Sequence, residues 1–347
     1  MSIIGKLKQI IKGGKKSGSK ISIRELNAQD LSDKGAAKGK RLKHKKEAAP
    51  VQEDIRIALQ PNLQEKNDTG VKKKRNNRNR KNKRLKRKQN EDLSGVNIGD
   101  IQADFGSWSI EEFYVEPEPD KTRFHDLGLP DRIMKGIYES GYKYCTPIQA
   151  LILPEACLGK DVSGKAQTGT GKTAAFLVTL FKRLIEKDGG ERENGTPRAL
   201  IMAPTRELVI QIEKDARLIG KYCGLTMQSV FGGINYEKQK RQLEDRVIDI
   251  LVATPGRLLD YKEQGILDLS KVEILVIDEA DRMLDMGFIP DMKKIIGSTP
   301  PKGRRQTMLF SATLSSDILK LVAQWTKDPL SFEAEAKEIT SENIEQK

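Results

Sequence analysis

Cysteine, histidine and long apolar runs are all scarce in this chain of 347 residues, which has three Cys and two His. Cys145, Cys157 and Cys223 show no C-x-x-C spacing, so neither a metal cluster nor a disulfide framework is expected. That usage suits a reducing, cytoplasmic setting. No stretch approaches the ~20 apolar residues that span a bilayer. The N-terminus lacks the continuous apolar core of a secretion signal.

Basic charge is present in excess, and unevenly. Residues 1–121 hold 29 Lys+Arg against 17 Asp+Glu, while the remainder holds 33 against 32, so nearly all of the net +13 lies in the first third. This divides the chain into a basic and acidic low-complexity tail (1–121), expected to be mostly disordered, and a charge-balanced domain (122–335) large enough for one core. Residues 336–347 read as the start of a linker.

Within the tail, Ile3, Ile4, Leu7, Ile10 and Ile11 fall at helical spacing among Lys6, Lys8 and Lys12. Residues 3–12 therefore read either as a helix touching an anionic membrane surface or a partner, or as a nascent helix in a tail. Residues 17–71 have few aromatics and are expected to lack fixed structure. Residues 72–88 carry twelve basic residues and no acidic one. Such a run repels itself and reads as a nucleic-acid tether without base selectivity, the other reading being a mere solubility tail. Residues 91–120 reverse the sign with nine acidic residues. Their aromatic part, Ser107–Pro119, is a partner motif, a pseudo-substrate for the basic run, or a segment packed across the domain.

From Phe124 onward, β-rich runs (Ala199–Ala203, Ile250–Ala253, Ile274–Ile277, Thr307–Phe310) alternate with amphipathic stretches such as Glu207–Ile219. This alternation predicts an α/β fold, a parallel sheet with helices on both faces, with ligands at the carboxyl ends of the strands. After the short strand-like run at Val162 comes Ala166-Gln167-Thr168-Gly169-Thr170-Gly171-Lys172-Thr173. Strand, glycine-bearing loop, Lys-Thr and helix form a phosphate cradle, in which helix N–H groups and the helix dipole meet an anion. Lys172 would reach the β/γ-phosphates and the Thr173 hydroxyl would take one site on Mg²⁺. The usual first glycine of that pattern is Ala166 here. Further on, the apolar run Ile274–Ile277 ends in Asp278-Glu279-Ala280-Asp281. Asp278 would hold Mg²⁺ through its water shell, and Glu279 would position or deprotonate the attacking water.

With that tetrad the chain resembles the DEAD-box ATP-dependent RNA helicases. Further matches follow in family order. Gly141–Gln149 resembles the Q motif, with Phe124 as its upstream aromatic. Pro204-Thr205-Arg206-Glu207-Leu208 resembles motif Ia, Gly232-Gly233 the GG motif, Thr254-Pro255-Gly256-Arg257 motif Ib, and Ser311-Ala312-Thr313 motif III. The family also begins motif I with Ala, as at Ala166. The wording DRMLDMGFIP after the tetrad is most similar to bacterial RhlB-type members.

The resemblance implies a single RecA-like domain of the P-loop NTPase class, with ATP and Mg²⁺ as cofactors. Gln149 would pair its amide with adenine N6 and N7, and Phe124 would stack on the base. Pro204, Thr205, Arg206, Gly232, Gly233, Thr254, Pro255, Gly256 and Arg257 would form an RNA track that reads sugar and phosphate rather than sequence. Ser311 and Thr313 would hydrogen-bond towards Asp281. The resemblance also implies contact with an RNA-degradation assembly, attributed chiefly to a second domain.

A helicase of this kind closes ATP and RNA between two such domains, the second supplying arginine fingers worth about 10³–10⁵ in rate. This sequence runs to Lys347 with no later arginine-rich motif. Weak binding and poor turnover are the expectation for these residues. The other function class left open is a non-catalytic RNA-tethering or partner-binding protein built on a truncated helicase domain.

Overall fold

The computed structural model describes residues Ser22–Glu25, 105–187 and 189–334. The expectations for residues 1–16, for most of 17–71, for the basic run 72–88 and for 336–347 lie outside the described residues.

The strands are β1 (Ser22–Glu25), β2 (Val162–Lys165), β3 (Ala199–Met202), β4 (Met227–Val230), β5 (Ile250–Ala253), β6 (Ile274–Ile277), β7 (Gln306–Ser311) and β8 (Leu330–Glu333). They form one sheet in the order β1-β8-β2-β7-β6-β3-β5-β4. β2 to β8 are mutually parallel, and β1 pairs antiparallel with β8 at the edge. The helices are α1 (Asp131–Glu139), α2 (Pro147–Ala156), α3 (Lys172–Glu186), α4 (Arg206–Ile219), α5 (Tyr236–Glu244), α6 (Pro255–Glu263), α7 (Ala280–Asp285), α8 (Ile289–Gly297) and α9 (Ser316–Trp325). This is the parallel α/β architecture expected from the alternation of runs.

A strand covered on both faces needs apolar side chains pointing both ways, hence runs such as Ile-Leu-Val-Ile. On one face Ala199, Ile201, Ile274, Val276, Met308 and Phe310 join the helices α1 to α4 in one core. On the other, Leu200, Met202, Leu275, Ile277 and Leu309 join α6, α8 and α9 in a second.

β4 and β8 were not expected from the sequence, because each mixes polar with apolar residues. In β4 Gln228 and Ser229 are 2% exposed. Burial is tolerated because Ser229 Oγ donates to Glu213 Oε2 at 2.5 Å. β1 lies in a stretch where no strand was expected.

The aromatic part of the acidic segment packs onto the domain. Phe113 and Val115 are 5% and 4% exposed, and the Phe113 ring lies 4.7 Å from His125 and 5.2 Å from Tyr138. Packing thus begins upstream of residue 122.

β2 and β7 carry the loops of interest, and one contact sets their fit. A Cβ on Gly164 would lie 2.8 Å from Phe310 Cδ1. Gly164→Ala is expected to destabilise by about 1–3 kcal/mol through overpacking, and Phe310→Ala by about 3–5 kcal/mol through a cavity. In the double variant the new methyl fills part of that cavity. Urea unfolding of the four proteins should then show a total at least about 1 kcal/mol below the sum, and strict additivity would contradict the contact.

Candidate functional site

Because β2 to β8 are parallel, the motifs that follow strands leave the sheet at one edge. The loop Ala166–Gly171 joins β2 to α3. Gly169 and Gly171 take φ of +84° and +96°, which glycine adopts without strain. Ala166 N–H donates to Ser311 O at 3.1 Å, tying the loop to β7. Thr170 Oγ1 donates to Gln167 O at 2.8 Å. Lys172 is 6% exposed. Its ammonium donates to Ala166 O at 2.8 Å and stands 4.0 Å from Asp278 Oδ1. The loop is thus folded around its own lysine, while Gln167, Thr168 and Gly169 are exposed and Thr173 is half-buried on the first turn of α3.

Asp278 directly follows β6, two strands from β2. Burial pushes its carboxyl up to about 6, with Lys172 pulling down and Glu279 pushing up. Glu279 takes φ 52°, ψ 53°, left-handed for a non-glycine residue, which costs about 1–3 kcal/mol and clusters at functional sites. Its carboxylate accepts from Thr168 Oγ1 at 3.4 Å and from Arg282 Nη1 at 3.3 Å. Thr168 was expected only as a phosphate-loop residue, and nothing in the sequence signalled Arg282 as a partner. Thr313 donates to Asp281 Oδ2 from both N–H (3.0 Å) and Oγ1 (3.2 Å), as the motif III resemblance implied. Ser311 does not: its Oγ is buried without a hydrogen-bond partner, because the residue is the last of β7 and 0% exposed. It meets the site through its backbone carbonyl.

Gln149 lies on α2, 4% exposed. Its Oε1 accepts from Thr146 N–H at 2.9 Å and its Nε2 donates to Gly171 O at 3.0 Å. A primary amide offers two acceptor and two donor positions, so one of each is unused. Phe124, expected to stack on a base, is 1% exposed. Its nearest ring is Tyr142, centroids 6.5 Å apart at 27°, and Tyr142 is 41% exposed. The open aromatic surface here is therefore Tyr142, which the sequence reading did not single out. The 105–120 segment braces the same region. Arg123 Nη1 donates to Val115 O (3.1 Å) and Tyr144 OH to Glu116 O (2.7 Å).

The third group lies along β3, β5 and β4, at the other half of the edge. Thr205 caps α4, accepting from Leu208 N–H at 3.3 Å. Thr254 precedes Pro255 at the start of α6, and its N–H donates to Val230 O at 3.0 Å. Gly232 and Gly256 are exposed, and a Cβ on either would meet nothing within 4 Å. Arg206 lies over the Phe231 ring at 5.1 Å, near Gly233. Arg257 is held by Gln239 Oε1 at 3.2 Å and by the rings of Tyr236 and Tyr261. Two helix N-termini, exposed glycine backbone and two placed guanidiniums are groups of the kind that meet phosphate. Pro204 is buried and sets the turn between β3 and α4.

Burial raises the thiols of Cys145, Cys157 and Cys223 to about 12, 11 and 12, so none of them is a nucleophile at neutral pH. Among the described residues no three His, Cys, Asp or Glu side chains could hold a metal ion. The donor set of Thr173 and Asp278 instead fits Mg²⁺, which keeps waters and takes phosphate oxygens for the rest. No helix among the described residues is long and apolar enough to cross a membrane.

Gly171 is where the amide of Gln149 meets the loop: a Cβ there would lie 2.5 Å from Gln149 Nε2 and 2.9 Å from Thr146 Oγ1. Gly169 has a similar φ with nothing within 4 Å. Gly169→Ala is expected to cost about 1–2 kcal/mol through backbone strain alone. Gly171→Ala should cost more and also shift the Gln149 side-chain amide resonances in NMR spectra. Equal destabilisation with an undisturbed Gln149 amide would contradict the contact.

A family profile described as DEAD/DEAH box helicase matches residues 146–321. The ATP-dependent RNA helicase RhlB of Pseudomonas aeruginosa is 54% identical over 233 residues, covering 67% of this chain and 59% of that protein. RhlB of Idiomarina loihiensis is 47% identical over 224 residues, covering 65% and 52%. A crystal structure of a DEAD box protein from the hyperthermophile Methanococcus jannaschii matches with a TM-score of 0.55 at 33% identity, over 61% of this chain and 56% of its own. The chain thus spans less than two thirds of the length of these curated relatives. With the phosphate loop, the acidic strand end and the ordered motifs all on one sheet edge, the chain belongs to the DEAD/DEAH box helicase family.

Proposed function

We propose that residues 122–335, with the upstream brace, are the ATP- and RNA-binding first domain of an ATP-dependent RNA helicase that couples ATP hydrolysis to local duplex unwinding. The observation that carries this reading is the contact of Gln149 with Gly171. It puts an amide with one free donor and one free acceptor position beside a phosphate loop, the complement of adenine N7 and N6. A phosphate loop alone does not choose a base.

The roles follow from position. On phosphate binding, Lys172 exchanges Ala166 O for phosphate oxygens, and the backbone of Gln167–Gly171 closes on them. Thr173 and Asp278 would hold Mg²⁺, which neutralises charge on the β/γ-phosphates when bound. Glu279 orients the attacking water and accepts its proton, once released from Thr168 and Arg282. Thr313 holds Asp281, so motif III senses the acidic strand end. RNA lies along Thr205, Arg206, Gly232, Gly233, Thr254, Gly256 and Arg257, its 2′-hydroxyls separating it from DNA. Since arginine fingers are assigned to a second domain, turnover by these residues alone is slow.

Binding of a fluorescent ATP analogue tests the reading. Lys172→Ala should weaken binding about tenfold or more, the loss of a charge-assisted hydrogen bond. Glu279→Gln should keep binding and abolish RNA-stimulated turnover. Gln149→Ala should lose preference for ATP over GTP. Turnover unchanged in Glu279→Gln would sink the mechanism, and binding without any turnover, even with a second family domain added, would leave the RNA-tethering reading.

A further inference from the structure

The acidic, aromatic stretch ahead of residue 120 lies outside the family profile, which begins at residue 146. It belongs to no motif, yet it is fastened to the domain at both ends. Its upstream end is held by rings: Trp108 lies 5.9 Å from Phe105 and 6.3 Å from Tyr138, and Lys135 Nζ donates to Phe105 O at 2.7 Å. Its downstream end, Phe113–Glu116, is held in another way. Phe113 and Val115 are buried anchors, and three backbone carbonyls between Phe113 and Glu116 accept from side chains of the domain. Phe113 O accepts from His125 Nε2, Val115 O from Arg123 Nη1 at 3.1 Å, and Glu116 O from Tyr144 OH at 2.7 Å.

These three donors come from two separate pieces of the Q region. Arg123 and His125 flank Phe124, while Tyr144 lies on the loop that enters α2. The two pieces meet edge to edge: Arg123 and Tyr144 form an antiparallel bridge, and Cys145 N–H donates to Thr122 O at 2.8 Å. Phe113–Glu116 ties both sides of that bridge. From Tyr144 the path to the amide is short. Two residues on, Thr146 N–H donates to Gln149 Oε1, and Gln149 Nε2 donates to Gly171 O. Space there is tight, since a Cβ on Gly171 would stand 2.5 Å from Gln149 Nε2. Recognition by a two-point hydrogen bond needs its groups held within about 0.5 Å. A small displacement of the loop at Thr146 therefore takes the amide out of register with a base.

We propose that Phe113–Glu116 positions the base-recognising amide. Phe113 and Val115 anchor the segment, and its carbonyls hold Arg123, His125 and Tyr144 so that Thr146 presents Gln149 to adenine. The segment acts through Tyr144 and Thr146 and not on the base itself, so its members are positioning residues. The inference rests on the reading of Gln149 as the partner of adenine. Loosening the segment should weaken ATP selectively, because GTP and a bare polyphosphate do not use that amide pairing. A merely structural segment would weaken all three together.

The test is calorimetric titration of the full chain with ATP, GTP and inorganic tripolyphosphate, each with Mg²⁺, together with the NMR shift of the Gln149 side-chain amide in each free variant. Tyr144→Phe keeps the ring and removes only the hydroxyl, which also meets Glu118 of the same stretch. It should weaken ATP about three- to tenfold, the value of one hydrogen bond, shift the Gln149 amide, and leave GTP and tripolyphosphate within about twofold. Phe113→Ala should act in the same direction, and Phe113→Leu, which restores apolar bulk, should recover most of the ATP affinity. Trp108→Ala, at the upstream end, should change none of the three affinities. An unmoved Gln149 amide in Tyr144→Phe, an unchanged ATP affinity in a protein that does prefer ATP, or equal weakening of all three ligands would overturn the proposal. A shifted amide in a protein that never distinguished ATP from GTP would support the positioning and sink the adenine reading instead.

Discussion

The common direction of β2 to β8 is the constraint on which the rest depends. Parallel neighbours cannot be joined by a tight hairpin, so each connection crosses a face as a helix and returns to the starting edge. Every carboxyl end therefore opens on the same side. The strand order then decides which loops are neighbours. β2, β7 and β6 bring together the phosphate loop, Ser311-Ala312-Thr313 and Asp278. β3, β5 and β4 bring together three segments far apart in sequence that bear exposed glycines and arginines. β6 and β3 pair directly, so the two groups share a border, and a change at Asp278 to Asp281 lies next to Thr205 without any long relay.

Within that frame, the buried pair of Lys172 and Asp278 sets the state of the loop. At 4.0 Å the two groups attract without a direct hydrogen bond, and burial lifts the carboxyl to about 6. Neither group is well satisfied by the other. Lys172 takes a loop carbonyl instead, which folds Ala166–Gly171 around it. Under the proposed function, a polyphosphate with Mg²⁺ would give each a stronger partner, the lysine an anion and the aspartate a cation. The strain at Glu279 belongs to the same economy of positions, since a left-handed residue directly after Asp278 turns the next carboxylate back towards Thr168 rather than along α7.

Much of this edge was legible in the sequence, for a physical reason. Phosphate loops, strand-end carboxylates and exposed glycines are demanded by chemistry at fixed spacing, so their letters survive as motifs. β4 was not legible, because its buried Gln228 and Ser229 look like loop residues until Glu213 is seen across from them. Ser311 was assigned a hydrogen bond that its burial at the end of β7 denies it. Phe124 was assigned an open face that packing closes. In each case the residue type was informative and its exposure was not, since exposure is set by neighbours distant in sequence.

β7 connects the two edges, beginning at Gln306 and ending at Ser311 beside the loop. Six residues of strand span about 20 Å. From Thr307 to Ser311 each is fully buried, with β2 on one side and β6 on the other. Coupling between distant sites requires an element with two stable arrangements that both ligands bias. A central parallel strand held by ladders on both sides is the element least able to supply one, because a shift of register would turn Met308, Leu309 and Phe310 onto the wrong cores. The sheet that gathers the helicase motifs on one side is also what insulates them from the other.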